Sequence, residues 1–263
     1  MASKQGEGDN MAVHLRKTLE DNNVIPVASG VGYAKPSLEA LSCCSCNILA
    51  GGCLAERLVK AHDHSYQVVK NRKVLSKGDH IFRGDDDADA IYVVSSGSIK
   101  SYMLTEDGEE QVLNFYMPGD VFGLEAMGSR HHLSSTIALE PTSFCKLPLF
   151  ELQNRALGQD FLNMISANLL REHNLTLMLA SKDADGRLAS FLLDIFKRRE
   201  TYGDSTDMIV LTMTRQDIAN YLGLAIETVS RAFRRFQDGG ILDVSRRDVK
   251  IYDFHTLRKV AGT

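Results

Sequence analysis

The sequence predicts an α+β protein built from a small all-β barrel or sandwich, a long helix and a C-terminal winged helix-turn-helix. Three observations predict it. Between Val68 and Leu149, short β runs recur about every 8–12 residues, split by turn residues such as Thr105–Glu110 (TEDGEE) and Pro118-Gly119-Asp120. Phe150–Ser181 then runs without proline, with its apolar residues mostly at helical spacings. Thr214–Gln237 holds two short amphipathic stretches joined by a turn that contains Gly223.

The bulk properties are those of a water-soluble globular chain. Its 263 residues are enough for two domains, and 44% are hydrophobic and 24% charged. No apolar run approaches the ~18 residues of a membrane span. The N-terminal MASKQGEGDN lacks the apolar core of a signal peptide. The expectation is a cytoplasmic protein without a membrane partner, whose thiols stay reduced, and this argues against a disulfide framework. The net charge of −4 is unevenly spread. Gly186–Thr263 carries 13 Lys and Arg against 10 Asp and Glu, and the remainder carries 17 against 24. A basic C-terminal third on an acidic body implies an anionic partner for that third.

Taken in order, residues 1–40 read as a flexible leader with short helical pieces around Met11–Asp21. The stretch Leu41–Cys53, LSCCSCNILAGGC, holds Cys43, Cys44, Cys46 and Cys53, four of the five cysteines; the fifth is Cys145. Buried cysteines that act as small hydrophobes are scattered singly. Four crowded among Ser, Asn and Gly leave disulfides, a zinc site or an iron–sulfur cluster. Leu54–Tyr66 reads as a short helix, with Leu54, Leu58, Val59 and His62 on one side. Strands follow at Ala90–Val94, Ser98–Leu104, Gln111–Tyr116, Ser135–Leu139 and Ser143–Leu147, with Asp107-Gly108 marking a hairpin. In Phe150–Ser181, residues Phe161, Leu162, Ile165, Leu169, Leu170, Leu177 and Leu179 give more apolar face than one small domain needs, which suits a dimer seam. Gly186–Gly203 is a further helix, and Met208–Met213 a strand.

The next stretch is the most informative. Thr214 can cap a helix over TRQDIANYL, with Asp217 as the capping-box acid. Gly223 ends that helix. Ile226–Gln237 forms a second one, with Val229, Phe233 and Phe236 inward and Glu227, Thr228, Ser230, Arg231, Arg234 and Arg235 outward. Such a helix fits the major groove, its N-terminal residues at base edges and its cations near phosphates. Arginine can bond guanine bidentately, and a carboxylate can accept from cytosine N4. Val244–Tyr252, with Arg246-Arg247-Asp248 at its centre, reads as the wing hairpin.

This layout resembles the cyclic-AMP receptor protein/FNR superfamily of transcription regulators over roughly residues 40–260. LTMTRQDIANYLGLAIETVSRAFRRFQ is similar to the family signature. SSGSIKSYMLTEDGEEQVLNFYMPGDVFGLEAMGS and SFCKLP resemble the FNR-type branch. The resemblance implies a leader (1–40), a cluster-binding segment (41–58), a cyclic-nucleotide-binding-like β-barrel sensor domain (59–155), a dimerisation helix (156–185) and a winged helix-turn-helix (186–263). It implies an oxygen-labile 4Fe-4S cluster held by Cys43, Cys46, Cys53 and Cys145, four thiolates being the usual ligand count. Six residues separate Cys46 from Cys53, one more than the commonest FNR pattern, and Cys44 is extra, so Cys44 stands as an alternative to Cys43.

The resemblance also implies reading of a TTGAT-N4-ATCAA palindrome through Glu227, Ser230 and Arg231. Thr214, Arg215, Gln216, Thr228, Arg234 and Arg235 would support the helices or meet the DNA backbone. Ile226 stands where cyclic-AMP-responsive relatives carry Arg, and Ala225 replaces the usual Ser or Thr cap, at a cost of ~1 kcal/mol. The loop Thr105, Glu106, Asp107, Gly108, Glu109 and Glu110 matches the position of a family contact with RNA polymerase. Glu172 falls about where FNR-type regulators carry an acid that opposes dimerisation. The expected partners are therefore double-stranded DNA, a second copy of the chain and RNA polymerase.

Two other readings keep the same fold. A cyclic-nucleotide-gated regulator needs a Gly-Glu pair and an Arg-Ser/Thr pair in the barrel. Here Gly123 precedes Leu124, and His-His-Leu-Ser-Ser precedes Thr136. A zinc site or thiol switch is the other; structural zinc sites usually show two C-x-x-C knuckles, and one is present. No nucleophile–base pair or phosphate loop suggests an enzyme. His131-His132, in a Gly/Ser-rich loop without an acid at metal-ligand spacing, reads as surface or superfamily structure.

Overall fold

Side chains of a strand alternate between its two faces, so a strand covered on both sides becomes apolar throughout. In the computed structural model, which describes residues 70–150, 159–201 and 207–262, the strand β3 (Ala90–Ser96, AIYVVSS) is of this kind, and Ala90 through Ser95 are all buried. It lies inside an antiparallel sheet ordered β1-β8-β3-β6, with β1 at Lys70–Leu75, β6 at Val121–Phe122 and β8 at Thr142–Pro148. A second antiparallel sheet runs β2-β7-β4-β5, with β2 at His80–Phe82, β4 at Ile99–Leu104, β5 at Glu110–Tyr116 and β7 at Ser135–Ala138. Leu75, Phe82, Tyr92, Val94, Ile99, Phe122, Ala138 and Phe144 pack between them. The expected strands are present; β2 and β6, at three and two residues, are too short for a period-2 signal to announce.

Two turns fix the register. The Asp107-Gly108 hairpin joins β4 to β5, with Gly108 at φ 78° and its N–H donating to Thr105 O at 2.9 Å. Gly97 turns β3 into β4 at φ 81°, where an added Cβ would lie 2.4 Å from Thr142 Oγ1 and 2.6 Å from Pro141 O. That combination of left-handed backbone and close approach requires glycine.

The His131-His132 pair, expected to be surface or superfamily structure, divides between the two. His132 is 1% exposed, stacked on Phe82 with ring centroids 3.5 Å apart, and bonded through Nδ1 to Glu125 Oε1 at 3.1 Å. It is an element of the sandwich core, and His131 alone is at the surface. The acid partner, seven residues upstream, sits on a short 3-10 turn, Leu124–Met127, which folds it back onto the ring.

After the sheets come α1 (Gln159–Ser181) and α2 (Ala184–Thr201). The second begins two residues before the expected Gly186 because the Asp183 carboxylate accepts from Gly186 N at 2.8 Å and supplies the N-terminal cap. Leu188, Leu192 and Ile195 are wholly buried at i, i+4 and i+7, each worth ~1.5–3 kcal/mol relative to exposure. The C-terminal unit continues with β9 (Met208–Val210), α3 (Arg215–Tyr221), α4 (Ile226–Asp238), β10 (Leu242–Ser245), β11 (Asp248–Ile251) and α5 (Phe254–Ala261). A small sheet ordered β10-β11-β9 forms the wing. Strand β9 stops three residues short of the expected Met213. Helix α5 is not anticipated from the sequence; Asp253 caps it, Oδ1 accepting from Thr256 N at 2.9 Å, and Leu257 and Ala261 are buried.

The two halves share one apolar core. Val112, Phe115, Met117 and Leu139 of the sheets pack with Phe191, Leu192, Ile218 and Phe233 of the helices. The Phe115 ring lies 5.1 Å from Tyr221 and 6.0 Å from Phe191. No described helix is long and apolar enough to cross a membrane. The leader, the cysteine stretch and the Leu54–Tyr66 helix lie outside the described residues.

Candidate nucleic-acid interface and cluster ligand

Helix α3 starts at a complete capping box. Thr214 Oγ1 accepts from Asp217 N at 3.0 Å, and Asp217 Oδ2 accepts from Thr214 N at 2.9 Å. Gly223 at φ 61° closes α3, and Leu224 N returns to Ala219 O at 2.9 Å. Helix α4 follows two residues later without a side-chain cap, as the Ala225 substitution implied. Val229, Ala232, Phe233 and Phe236 bury one face of α4 against α3. Glu227, Ser230, Arg231 and Arg234 are exposed on the other, and Thr228 is half-buried at its edge. The base-reading trio implied by the resemblance thus shares the outer face of α4, and Thr214 and Gln216 stand exposed at the start of α3.

Two of the support residues are engaged within the protein. The Arg215 guanidinium lies 3.4 Å over the Phe233 ring, and burial pulls its pKa down to about 10. Its position ties the first turn of α3 to the middle of α4. Arg235 donates through Nε to Asp185 Oδ2 at 2.9 Å and through Nη2 to Asp185 Oδ1, a bidentate pair across to α2 that holds the guanidinium charged. The wing tip places Arg246 at φ 56°, and Arg247 Nη2 donates to Thr212 O at 3.1 Å.

Of the expected cluster ligands, Cys145 is described. It is 9% exposed on β8, paired with Val93 of β3 and with Arg72 of β1. Phe144 and Tyr92 point into the sandwich, so alternation puts Cys145, Val93, Ile91 and Leu147 on the opposite face of that sheet. Cys43, Cys44, Cys46 and Cys53 lie outside the described residues, and among the described residues no three His, Cys, Asp or Glu converge as a metal site. Of the Thr105–Glu110 stretch, residues 105–109 join β4 to β5, and Glu110 opens β5 with its carboxylate on Lys100; Met103 and Leu104, at the end of β4, are 47% and 63% exposed. Glu172 accepts from Asn114 Nδ2 at 3.2 Å, so its carboxylate is turned towards β5.

Fold and site together define a winged helix-turn-helix DNA-binding regulator carrying a jelly-roll domain of the nucleotide-binding type. Residues 186–260 match the Crp-like helix-turn-helix domain family, and residues 72–156 the cyclic nucleotide-binding domain family. The chain is 37% identical over 205 residues to the fumarate and nitrate reduction regulatory protein of Salmonella typhi, covering 76% of this chain and 82% of that one. It is 36% identical, with the same coverage, to the electron transport regulator A of Shewanella oneidensis. Among solved structures, FixK2 from Bradyrhizobium japonicum superposes with a TM-score of 0.66 at 31% identity, over 72% of this chain and 96% of that one. The chain belongs to the FNR-type transcription regulators of the cyclic-AMP receptor protein/FNR superfamily.

Proposed function

We propose that the protein is a cytoplasmic, oxygen-responsive transcription regulator. Cys43 (or Cys44), Cys46, Cys53 and Cys145 would hold a 4Fe-4S cluster, and anaerobic conditions favour a homodimer bound to a TTGAT-N4-ATCAA-like palindrome. The observation that carries the reading is the outer face of α4, where Glu227, Ser230 and Arg231 stand exposed on a helix whose other face is fully packed. Named relatives concerned with fumarate and nitrate reduction support the redox assignment.

The bound cluster would supply a charged, oxygen-reactive crosslink between its thiolate ligands. Cys145 would hold the cluster from β8, and Cys43 (or Cys44), Cys46 and Cys53 would hold it from the N-terminal segment. The seam that responds is α1, whose Leu162, Ile165, Leu169, Leu170 and Leu177 are 36–63% exposed. A second copy covering this stripe sets two α4 helices on two-fold-related half-sites. Arg231 would pair with guanine and Glu227 with cytosine, while Arg234 and the wing meet phosphates. The Thr105–Glu110 loop would contact RNA polymerase.

A cyclic nucleotide is disfavoured as effector. Gly123 is followed by Leu124, and His132 stacks on Phe82 in the sandwich interior.

The test is duplex binding by protein purified without oxygen, before and after exposure to air. Anaerobic protein should bind a TTGAT-N4-ATCAA duplex at least tenfold more tightly than the aerated protein. Equal affinity in the two states would overturn the oxygen response, and equal affinity for a scrambled duplex would overturn the site.

A further inference from the structure

Lys100 is a charged residue in an unlikely place. It is 8% exposed in the middle of β4, between the strand partners Phe115 and Ile137. Ile99 faces the sandwich interior, so Lys100 points out of the opposite sheet face, towards the DNA-binding unit. There its ammonium donates to Asp217 Oδ1 at 2.7 Å and to Glu110 Oε2 at 2.5 Å. Taking a lysine out of water is costly unless carboxylates meet it. Glu110 comes from the adjoining strand, but Asp217 comes from α3, the first helix of the helix-turn-helix.

The Asp217 carboxylate serves both sides. Its Oδ2 accepts from Thr214 N and Oγ1 and caps α3, while its Oδ1 accepts from Lys100. Burial raises its pKa, but the hydrogen bonds from Lys100 and Thr214 outweigh this and hold it ionised below 3.8. Around this pair the same two elements are joined again. Asn220 Oδ1 accepts from Val112 N at 2.6 Å, Asn220 Nδ2 donates to Glu110 O, and Ser98 Oγ donates to Thr212 Oγ1 at 2.7 Å. Helix α3 is therefore held at its N-terminal cap and at its last turn by the β4–β5 hairpin.

We propose that Lys100 is a positioning residue for DNA binding. From the jelly-roll domain it grips the capping carboxylate of the helix-turn-helix, and so sets the angle at which α3, and α4 packed on it, meet the duplex. Lys100 reaches no phosphate itself. Substitutions in the β4–β5 sheet that break this pair are thereby felt at the DNA. The inference deepens the DNA-binding reading and rests on it.

The test compares full-length wild type, Lys100→Met, Lys100→Arg and Lys100→Met/Asp217→Asn. Each is purified anaerobically and titrated with the TTGAT-N4-ATCAA duplex at several salt concentrations. Sedimentation and amide hydrogen exchange are measured on the same samples. Lys100→Met should bind at least tenfold more weakly, with unchanged dimer mass and an unchanged slope of log affinity against log salt, because no phosphate contact is lost. Exchange should rise at residues 214–222 and stay constant in β3 and β8. Lys100→Arg should restore most of the binding, and the double variant should bind no more weakly than Lys100→Met. Wild-type affinity in Lys100→Met, a salt slope lowered by about one, or loss of the dimer would each overturn the proposal. If wild type fails to bind the duplex, the functional reading fails first, and unchanged exchange at 214–222 in Lys100→Met then refutes the coupling independently.

Discussion

At the scale of single residues, the outward side chains of α4 divide by what already holds them. Arg231 is exposed at the end of the proposed base-reading trio, so Arg231→Ala should cost about 1–3 kcal/mol of specific binding and relax preference at one base pair. Arg234 is 83% exposed with Asp238 at 3.9 Å, a pair too solvated to restrain it. Arg234→Ala should weaken binding to all sequences and lower the salt slope by about one. Arg235, by contrast, is spanned by Asp185, and Arg235→Ala should leave that slope unchanged and instead loosen α2 against α4. The sequence placed all three on the outer face, but it could not show that one had a partner fifty residues away. Ala225 was legible as a missing cap. Ala225→Ser should stabilise the chain by ~1 kcal/mol in urea unfolding, because a hydroxyl there can accept from an orphan N–H of the first α4 turn.

The Lys100–Asp217 pair also sets a pH window. Asp217 has a depressed pKa, so its contribution is fully present above about 3.8 and is lost as pH falls through the lower folded value. Burial lowers the Lys100 pKa, but bonds to Asp217 and Glu110 raise it further, so its contribution is fully present below 10.5 and is lost as pH rises through the higher folded value. Protection of the α3 amides should therefore stay flat between pH 5 and 9, about the span between those limits. A step in that range would contradict the pairing.

At the scale of elements, legibility followed length and period. Helix α4 and strands β3, β4 and β5 carry enough residues for a pattern, and they appear nearly where expected. The short β2 and β6 do not, and neither did the long-range contact that buries His132 against Glu125 and Phe82. Pattern reading found the apolar stripe of α1, and the structure shows which part of it is surplus. Phe161 and Met178 are buried within the chain, while Leu162, Leu169, Leu170 and Leu177 are more than half exposed. Leu169→Glu should accordingly shift the anaerobic protein from dimer to monomer in sedimentation, at unchanged circular dichroism and melting temperature. A folded, fully dimeric variant would move the seam elsewhere. Glu172, expected as a repulsive charge at this seam, is engaged by Asn114 of β5, so its effect on assembly depends on a contact that the helical pattern alone does not contain.

At the scale of the whole molecule, a continuous core and the hydrogen bonds between the β4–β5 hairpin and α3 join the jelly roll to the DNA-binding unit. Strand β8, which carries Cys145, is hydrogen-bonded to β1 on one side and to β3 on the other. The family layout, the capping box and the Gly223 turn were legible as sequence because each depends on neighbours in the chain. The shared core was not, because it depends on residues such as Phe115 and Tyr221 that lie more than a hundred positions apart. The proposed function rests on thiols of the N-terminal segment and Cys145 holding one iron–sulfur cluster. It is tested most directly by iron and acid-labile sulfide content of anaerobically purified wild type and Cys145→Ala. Wild type should carry about four iron and about four sulfide per chain, and the variant should retain neither. Iron-free wild type, zinc in place of iron, or a full complement of iron and sulfide in Cys145→Ala would contradict it.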